Sequence, residues 1–323
     1  MRTLTDLLLV GVASVVALQP AALAQTYPTK PVHVISAYAA GGPTDLIARP
    51  VLQYLSATMG QQFILQNRPG ANGNIGANEV VRAAPDGYTL LFATTSQLTI
   101  NPALYSMPFD AARDLAPIIQ VSMNPSSLVM NASFPAATLQ EMLAHARANP
   151  GKLTFASAGI GSINHLSGEL LAMLTNTKLL HVPMSGGGPA INELLAGRVD
   201  MFLVSPPLAL SHVKAGKLKI LMVSAPRRMS LIPDVPTMSE AGLPEFKAAG
   251  SHGMMAPGKT PPALLRRLNE EAAKYLRSPD ADKQLGGQGV QIVGGTIEEF
   301  AQFLRDETTR WAAVVKTGNI KVE

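Results

Sequence analysis

The sequence predicts a two-lobed α/β fold, with mainly parallel sheets joined by two crossing strands. Three observations carry this. Apolar runs of strand length alternate with amphipathic runs of helix length from Pro31 onward, the pattern of parallel sheets covered by helices on both faces. Strand, Gly-rich turn and helix recur in that order in two separate stretches, around Gly41-Gly42-Pro43 and around Gly186-Gly187-Gly188-Pro189. Two β-rich stretches read as passages between lobes: Ile118 to Asn131, which has no helix directly after it, and Lys247 to Ala256. With 323 residues the chain has the length of about two domains.

Taken in order, Pro31 to Ser36 is a strand, followed by a helix with apolar Leu46, Ile47, Val51, Leu52 and Leu55 that Gly60 ends. Phe63-Ile64-Leu65 is the second strand, Ala77 to Ala84 a helix, and Tyr88 to Thr94 the third strand. Past the first passage, Thr138-x-x-Glu141 is a capping box for a helix Leu139 to Ala148, which Asn149-Pro150-Gly151 stops. The alternation then restarts. Leu153 to Ser157, Leu179 to Pro183, Asp200 to Val204 and Lys219 to Ser224 are strands, and helices run to Leu174 and Ala196. Two amphipathic helices finish the chain. Leu264, Leu265, Leu268, Ala272 and Leu276 face inward on one; Phe300, Phe303, Leu304, Trp311 and Val315 face inward on the other, which Thr296-x-x-Glu299 caps. Both are expected on the first lobe, making it discontinuous: residues 25–124 with 247–323, around a second lobe of 125–246.

Composition narrows the function. Apolar residues at 47% and charged residues at 15% exclude disorder and a coiled coil. A net charge of +4 without a basic block does not suit a nucleic-acid partner. The absence of Cys excludes disulfides, Cys-ligated zinc and a thiol nucleophile. Met1-Arg2, the apolar run Leu7 to Leu18 and the small-x-small Ala22-Leu23-Ala24 read as a signal peptide, residues 1–24, cleaved after Ala24. The expected location is the periplasm. No later segment is long and apolar enough to span a bilayer.

The chemistry concentrates in three strand-to-helix turns: Ala39 to Asp45, Ala158 to His165 and Ser185 to Pro189. A helix N-terminus carries unpaired N–H groups and about half a positive charge. In open α/β sheets such turns lie at the carboxyl ends of the strands, where ligands bind. Two lobes presenting them to each other would enclose a small anion, with Thr44, Ser157, Ser162 and Ser185 adding hydroxyl donors. Asp45 either caps its helix or accepts from a ligand. His165 either bonds nearby backbone at its helix start or lines the pocket. Neither a nucleophile elbow nor a P-loop is present, and no His spacing suits a metal. No catalytic residue, cofactor or metal is expected.

The run Tyr27-Pro28-x-Lys30-Pro31, Ala39-Ala40-Gly41-Gly42-Pro43-Thr44-Asp45, Asn67-Arg68-Pro69-Gly70-Ala71-x-Gly73-x-Ile75-Gly76-Ala77 and Ala84-Pro85-Asp86-Gly87-Tyr88 resembles the tripartite tricarboxylate transporter substrate-binding proteins, the Bordetella uptake gene family. Ala156-Ser157-Ala158-Gly159-x-Gly161-Ser162 with His165, His181-Val182-Pro183 and Pro233-Asp234-Val235-Pro236-Thr237 extend the resemblance over the whole mature chain. It implies a periplasmic binding protein of type II topology, a Venus flytrap. It also implies capture of a small organic acid through backbone amides and ordered waters of the loops Ala39 to Asp45 and Ala158 to Ser162. The candidate ligand contacts are Tyr38, Ala39, Gly41, Gly42, Thr44, Asp45 and Thr95 on the first lobe. On the second they are Ser157, Ala158, Gly159, Gly161, Ser162, His165, Ser185 and Ser205. A Gly42→Val change is expected to block the ligand and strain the turn. The partners implied are a small carboxylate and membrane transporter subunits, for a monomer not itself embedded in the membrane. The alternatives are a periplasmic sensor presenting its closed form to a signalling kinase and, less favoured, a secreted hydrolase using Ser162 and His165. The chain departs from the family pattern at Met184-Ser185, Val204-Ser205 and Ser251-His252, positions expected to flank the cleft in the second lobe, which leaves the ligand's identity open.

Overall fold

A computed structural model describes residues 27–38 and 40–322. The expected signal peptide and Ala39 of the first loop lie outside the described residues. The first stretch builds β1 (Val32–Ser36), α1 (Pro43–Met59), β2 (Phe63–Asn67), α2 (Asn74–Val81) and β3 (Thr89–Thr94). A π-helical turn (Ser96–Ile100) and two short helices, α3 (Asn101–Leu104) and α4 (Ala111–Asp114), lead into β4 (Leu115–Pro125). After Ser126 come β5 (Ser127–Asn131), α5 (Leu139–Ala148), β6 (Thr154–Ser157), α6 (Ile163–Thr175) and β7 (Leu180–Pro183). Next are α7 (Gly187–Leu195), β8 (Met201–Val204), α8 (Pro206–Lys214) and β9 (Leu218–Val223). The chain returns through β10 (Ala249–Pro257) and closes with α9 (Pro262–Leu276), α10 (Pro279–Gln284), β11 (Gln291–Gly294) and α11 (Ile297–Thr317).

Among the described residues the strands form two sheets, ordered β2-β1-β3-β10-β4-β11 and β7-β6-β8-β5-β9. β1 pairs in parallel with β2 and β3, and β6 in parallel with β7 and β8. Each sheet takes in one strand that has just arrived from the other half of the molecule. β10 runs antiparallel to β3 and β4, and β5 antiparallel to β8 and β9. In both sheets the incoming strand is fourth, after three parallel strands, as in type II topology; the first sheet adds β11 beyond β4. The two passages are laced together by serines. Ser126 donates its N–H to the Ala248 carbonyl at 2.9 Å and accepts from Ser224 N–H at 2.7 Å. The Ser224 hydroxyl bonds the Phe246 carbonyl and the Ala248 N–H. Small side chains here let two strands run side by side where the sheets part.

Local chemistry explains most helix bounds. Pro43 opens α1 at a position whose N–H would be unpaired anyway, and Gly60 closes it at φ 75°. Thr296 and Glu299 make the full reciprocal capping box on α11. On α5 the box is displaced: Thr138 accepts from Glu141 N–H, but the Glu141 carboxylate takes the Ala137 N–H rather than that of Thr138. Absent from the sequence reading are α4, α8, α10, β11 and the helical stretch 96–104. α2 begins at Asn74, three residues before the expected Ala77.

One layer of the first sheet is filled by Val32, Val34, Leu90 and Phe92 against α1 and α9. α11 departs from expectation. Its Phe300 packs over Gly253 of the first sheet, whereas Trp311, Val314 and Val315 join Phe155, Leu166 and Leu170 of the second. At about 1.5 Å per residue this helix of 21 residues is long enough to reach from one half to the other. Among the described residues no helix is long and apolar enough to cross a membrane.

Candidate functional site

The loop from β1 to α1 is built around a carboxylate. Asp45, 1% exposed, accepts from Gly41 N–H at 3.0 Å, Asn67 Nδ2 at 2.9 Å and Arg49 at 2.9 Å. Burial pushes this carboxyl up, but the bonds from Asn67, Gly41 and Arg49 outweigh it and hold the group below its ordinary value. Asn67, at the end of β2, also donates to the Tyr38 carbonyl, so one side chain ties both ends of the loop. Gly41 takes φ +78°, the left-handed region where a side chain is strained. Gly42 sits at φ −77° and ψ 175°, extended backbone open to any residue. The strain expected of Gly42→Val is therefore absent, because the special conformation belongs to its neighbour.

The loop from β6 to α6 is built around imidazoles instead. The Ser157 hydroxyl meets His181 Nε2 at 2.7 Å and lies 3.1 Å from both polar backbone atoms of Gly159. His165 Nδ1 accepts from Gly161 N–H at 3.2 Å, so the backbone-bonding reading of this residue holds. Ser162 is the N-cap of α6: it accepts from His165 N–H and donates to the Gly159 carbonyl. The two histidine rings stack at 3.8 Å and 10°, and Phe155 stacks beneath both. Burial pushes both imidazoles down to about 4, and for His165 the neighbouring His181 adds to it, so both are neutral at pH 7.

The remaining candidates gather on the same two edges. Tyr38 Oη bonds Thr94 Oγ1 at 2.8 Å, and Thr95 Oγ1 donates to the Ser251 carbonyl at 3.2 Å. Ser185 is exposed in the turn before α7, which the Met184 N–H anchors to the Ser157 carbonyl. Ser205 stands at the N-cap of α8 with no capping bond from its side chain. Ala158, half-buried, follows Ser157 in the second loop.

The carboxyl ends of the two sheets meet. A methyl group on Gly161, at φ +76°, would stand 2.8 Å from Leu104 Cδ1 and 3.7 Å from the Tyr105 hydroxyl, on the segment that follows β3. On the other flank one on Gly289 would come within 2.8 Å of Pro207 and 2.9 Å of Leu231. The two halves thus approach each other at the start of α6 and again at the start of α8. Two surface hollows of about 360 and 310 Å3 lie elsewhere, around Lys30, His33 and Tyr88 and around Arg49 and Phe63.

Ser251 and His252, expected on the second lobe, lie instead on β10 of the first sheet, because the returning strand pairs with β3 and β4. There they belong to a buried polar group that sequence reasoning missed. Ser122, Asn124, Ser251 and His252 hydrogen-bond one another, and Thr44 joins them through His252. A signal existed: Gln120, Ser122 and Asn124 alternate with Val121 and Met123 along an otherwise apolar strand, marking one polar face.

Comparison with known proteins agrees with this architecture. The family model described as tripartite tricarboxylate transporter family receptor matches residues 47–320. The chain is 35% identical over 302 residues to the protein BugT of Bordetella pertussis, covering 93% of each. Among solved structures, Rpa4515 of R. palustris with adipate superposes with a TM-score of 0.79 at 31% identity, over 91% of this chain and 99% of that one. MatC of Rhodopseudomonas palustris with bound malate gives 0.75 at 32%, over 90% and 100%. A fold of two type II sheets, a family match over most of its length and relatives above 30% identity together make this chain a member of the tripartite tricarboxylate transporter receptor family, whose proteins are periplasmic binding proteins rather than enzymes.

Proposed function

We propose that this chain captures a small organic carboxylate between its two lobes, residues 25–124 with 247–323 and residues 125–246, and delivers it to membrane-embedded transporter subunits. It acts as a monomer in the periplasm after cleavage behind Ala24. The observation that supports the reading is the approach of Gly161, just before α6, to Leu104 and Tyr105 of the other half, which suits a ligand held between the two. First-turn N–H groups and the hydroxyls of Thr44, Ser185 and Ser205 can donate to an anion there, and water can complete the set. Asp45, Ser157, Ser162 and His165 contribute by holding the loops. Adipate in one relative and malate in another suit the same ligand class.

The test is a thermal-shift screen of adipate, malate, citrate, succinate and aromatic acids against the mature protein. A ligand at about 100 times its Kd should add roughly 2.7 kcal/mol of stability. A flat response to every acid would overturn carboxylate capture.

A further inference from the structure

His252 lies on β10 opposite Thr94 and is 8% exposed. Its ring has three polar neighbours, two on β4 and one on α1. Ser122 Oγ at 3.2 Å and Asn124 Nδ2 at 3.3 Å both approach Nδ1, and Thr44 Oγ1 stands 3.4 Å from Nε2. An amide nitrogen can only donate, so Nδ1 accepts and the proton of the neutral ring sits on Nε2, aimed at Thr44. Burial pushes this imidazole down to about 4, which keeps the ring neutral at pH 7. Thr44, 5% exposed, is in the first turn of α1, and its side chain has no other hydrogen-bond partner among the described residues. A threonine hydroxyl has one hydrogen to donate and two lone pairs that accept. While its oxygen accepts from His252 Nε2–H it cannot aim its hydrogen at that ring, so the hydrogen is free to donate elsewhere.

We propose that His252 is a positioning residue for ligand capture: by donating to Thr44 Oγ1 it turns the Thr44 hydrogen away from the ring, so the first loop presents a hydroxyl donor to a carboxylate oxygen. This rests on the capture reading above. It gives the Ser251-His252 departure from the family pattern a chemical role.

Two measurements on the full mature chain test it. The first needs no ligand. In ¹⁵N-histidine-labelled protein at pH 7, with the His252 signals assigned by their loss in His252→Gln, the ring should show the Nε2–H tautomer. The Nδ1–H tautomer would overturn the proposal. The second is calorimetric titration with adipate and, in parallel, malate. His252→Phe should weaken binding about tenfold, the worth of one hydrogen bond to a charged group. His252→Gln, whose amide N–H can stand where Nε2–H stood, should recover most of that loss. Thr44→Val should cost about as much as His252→Phe, and the double variant little more than either. Additive losses, or full affinity in a folded His252→Phe variant, would refute the idea. If the wild-type protein takes up no carboxylate, the capture reading fails, and the tautomer still decides the His252–Thr44 bond.

Discussion

The two Gly-rich loops follow the same design in the chain and are held by opposite chemistry. In the first, a carboxylate gathers the donors: Asp45 binds Gly41, Asn67 and Arg49 as an anion. In the second, neutral rings do the holding: His181 fixes Ser157, His165 fixes Gly161, and the rings stack on Phe155. A loop held by an anion loosens when a carboxyl gains its proton. A loop held by neutral imidazoles loosens much earlier on the pH scale. Similar turns in one molecule thus carry different sensitivities to acid.

The largest expected effect tests that difference. An imidazole held at about 4 when folded and near 6.5 when unfolded takes up its proton more readily in the unfolded chain. The stability it supports is complete above about pH 6.5 and drains away as pH falls towards 4. At about 1.4 kcal/mol per pH unit, each histidine accounts for up to roughly 3 kcal/mol over this window. His252 adds to the same acid limb. Asp45 acts in the same direction over a lower window: its folded value is lowered, so its contribution is intact above about 4 and is lost only below that. Urea unfolding at pH 7 and pH 4.5 should show a clear loss, and the double variant His165→Gln/His181→Gln should remove most of it. An unchanged acid limb in that variant would break the comparison.

Next in size is Gly168→Ala. Its added carbon would stand 2.2 Å from Cε2 of Phe155, the ring that carries both histidines. Displacing that ring should cost about 1–3 kcal/mol by urea unfolding. Asp45→Asn comes third. It keeps the shape but gives up the charge and one acceptor, for about 1–2 kcal/mol, and adipate affinity should fall with it. Arg49→Gln is the smallest. Arg49 is 60% exposed, so less than about 0.5 kcal/mol should be lost, and a larger effect would mean that charge rather than acceptor geometry holds the first loop.

Much of this was legible in the sequence. Apolar runs around Val34, Leu90 and Phe155 announced buried strands, and Pro43, Gly60 and Thr296 marked helix ends by their own backbone chemistry. The lobe passages showed as β-rich stretches. What was hidden depends on contacts between distant parts of the chain. The stacking of His165 on His181 joins residues that come together only when β6 and β7 pair. The bond from His252 to Thr44 spans more than 200 positions. α8 was missed because Pro206-Pro207 reads as a turn, although prolines are welcome at a helix start. The far end of α11 was assigned to the wrong neighbour because an amphipathic face says that it is covered, not by what.

That last helix has a mechanical consequence. Phe300 is lodged in one half and Trp311, wholly shielded from solvent, in the other, so α11 acts as a leash across the back of the molecule. A swing about the serine-laced passages cannot be free. Any relative motion of the halves would work against the close packing of both rings.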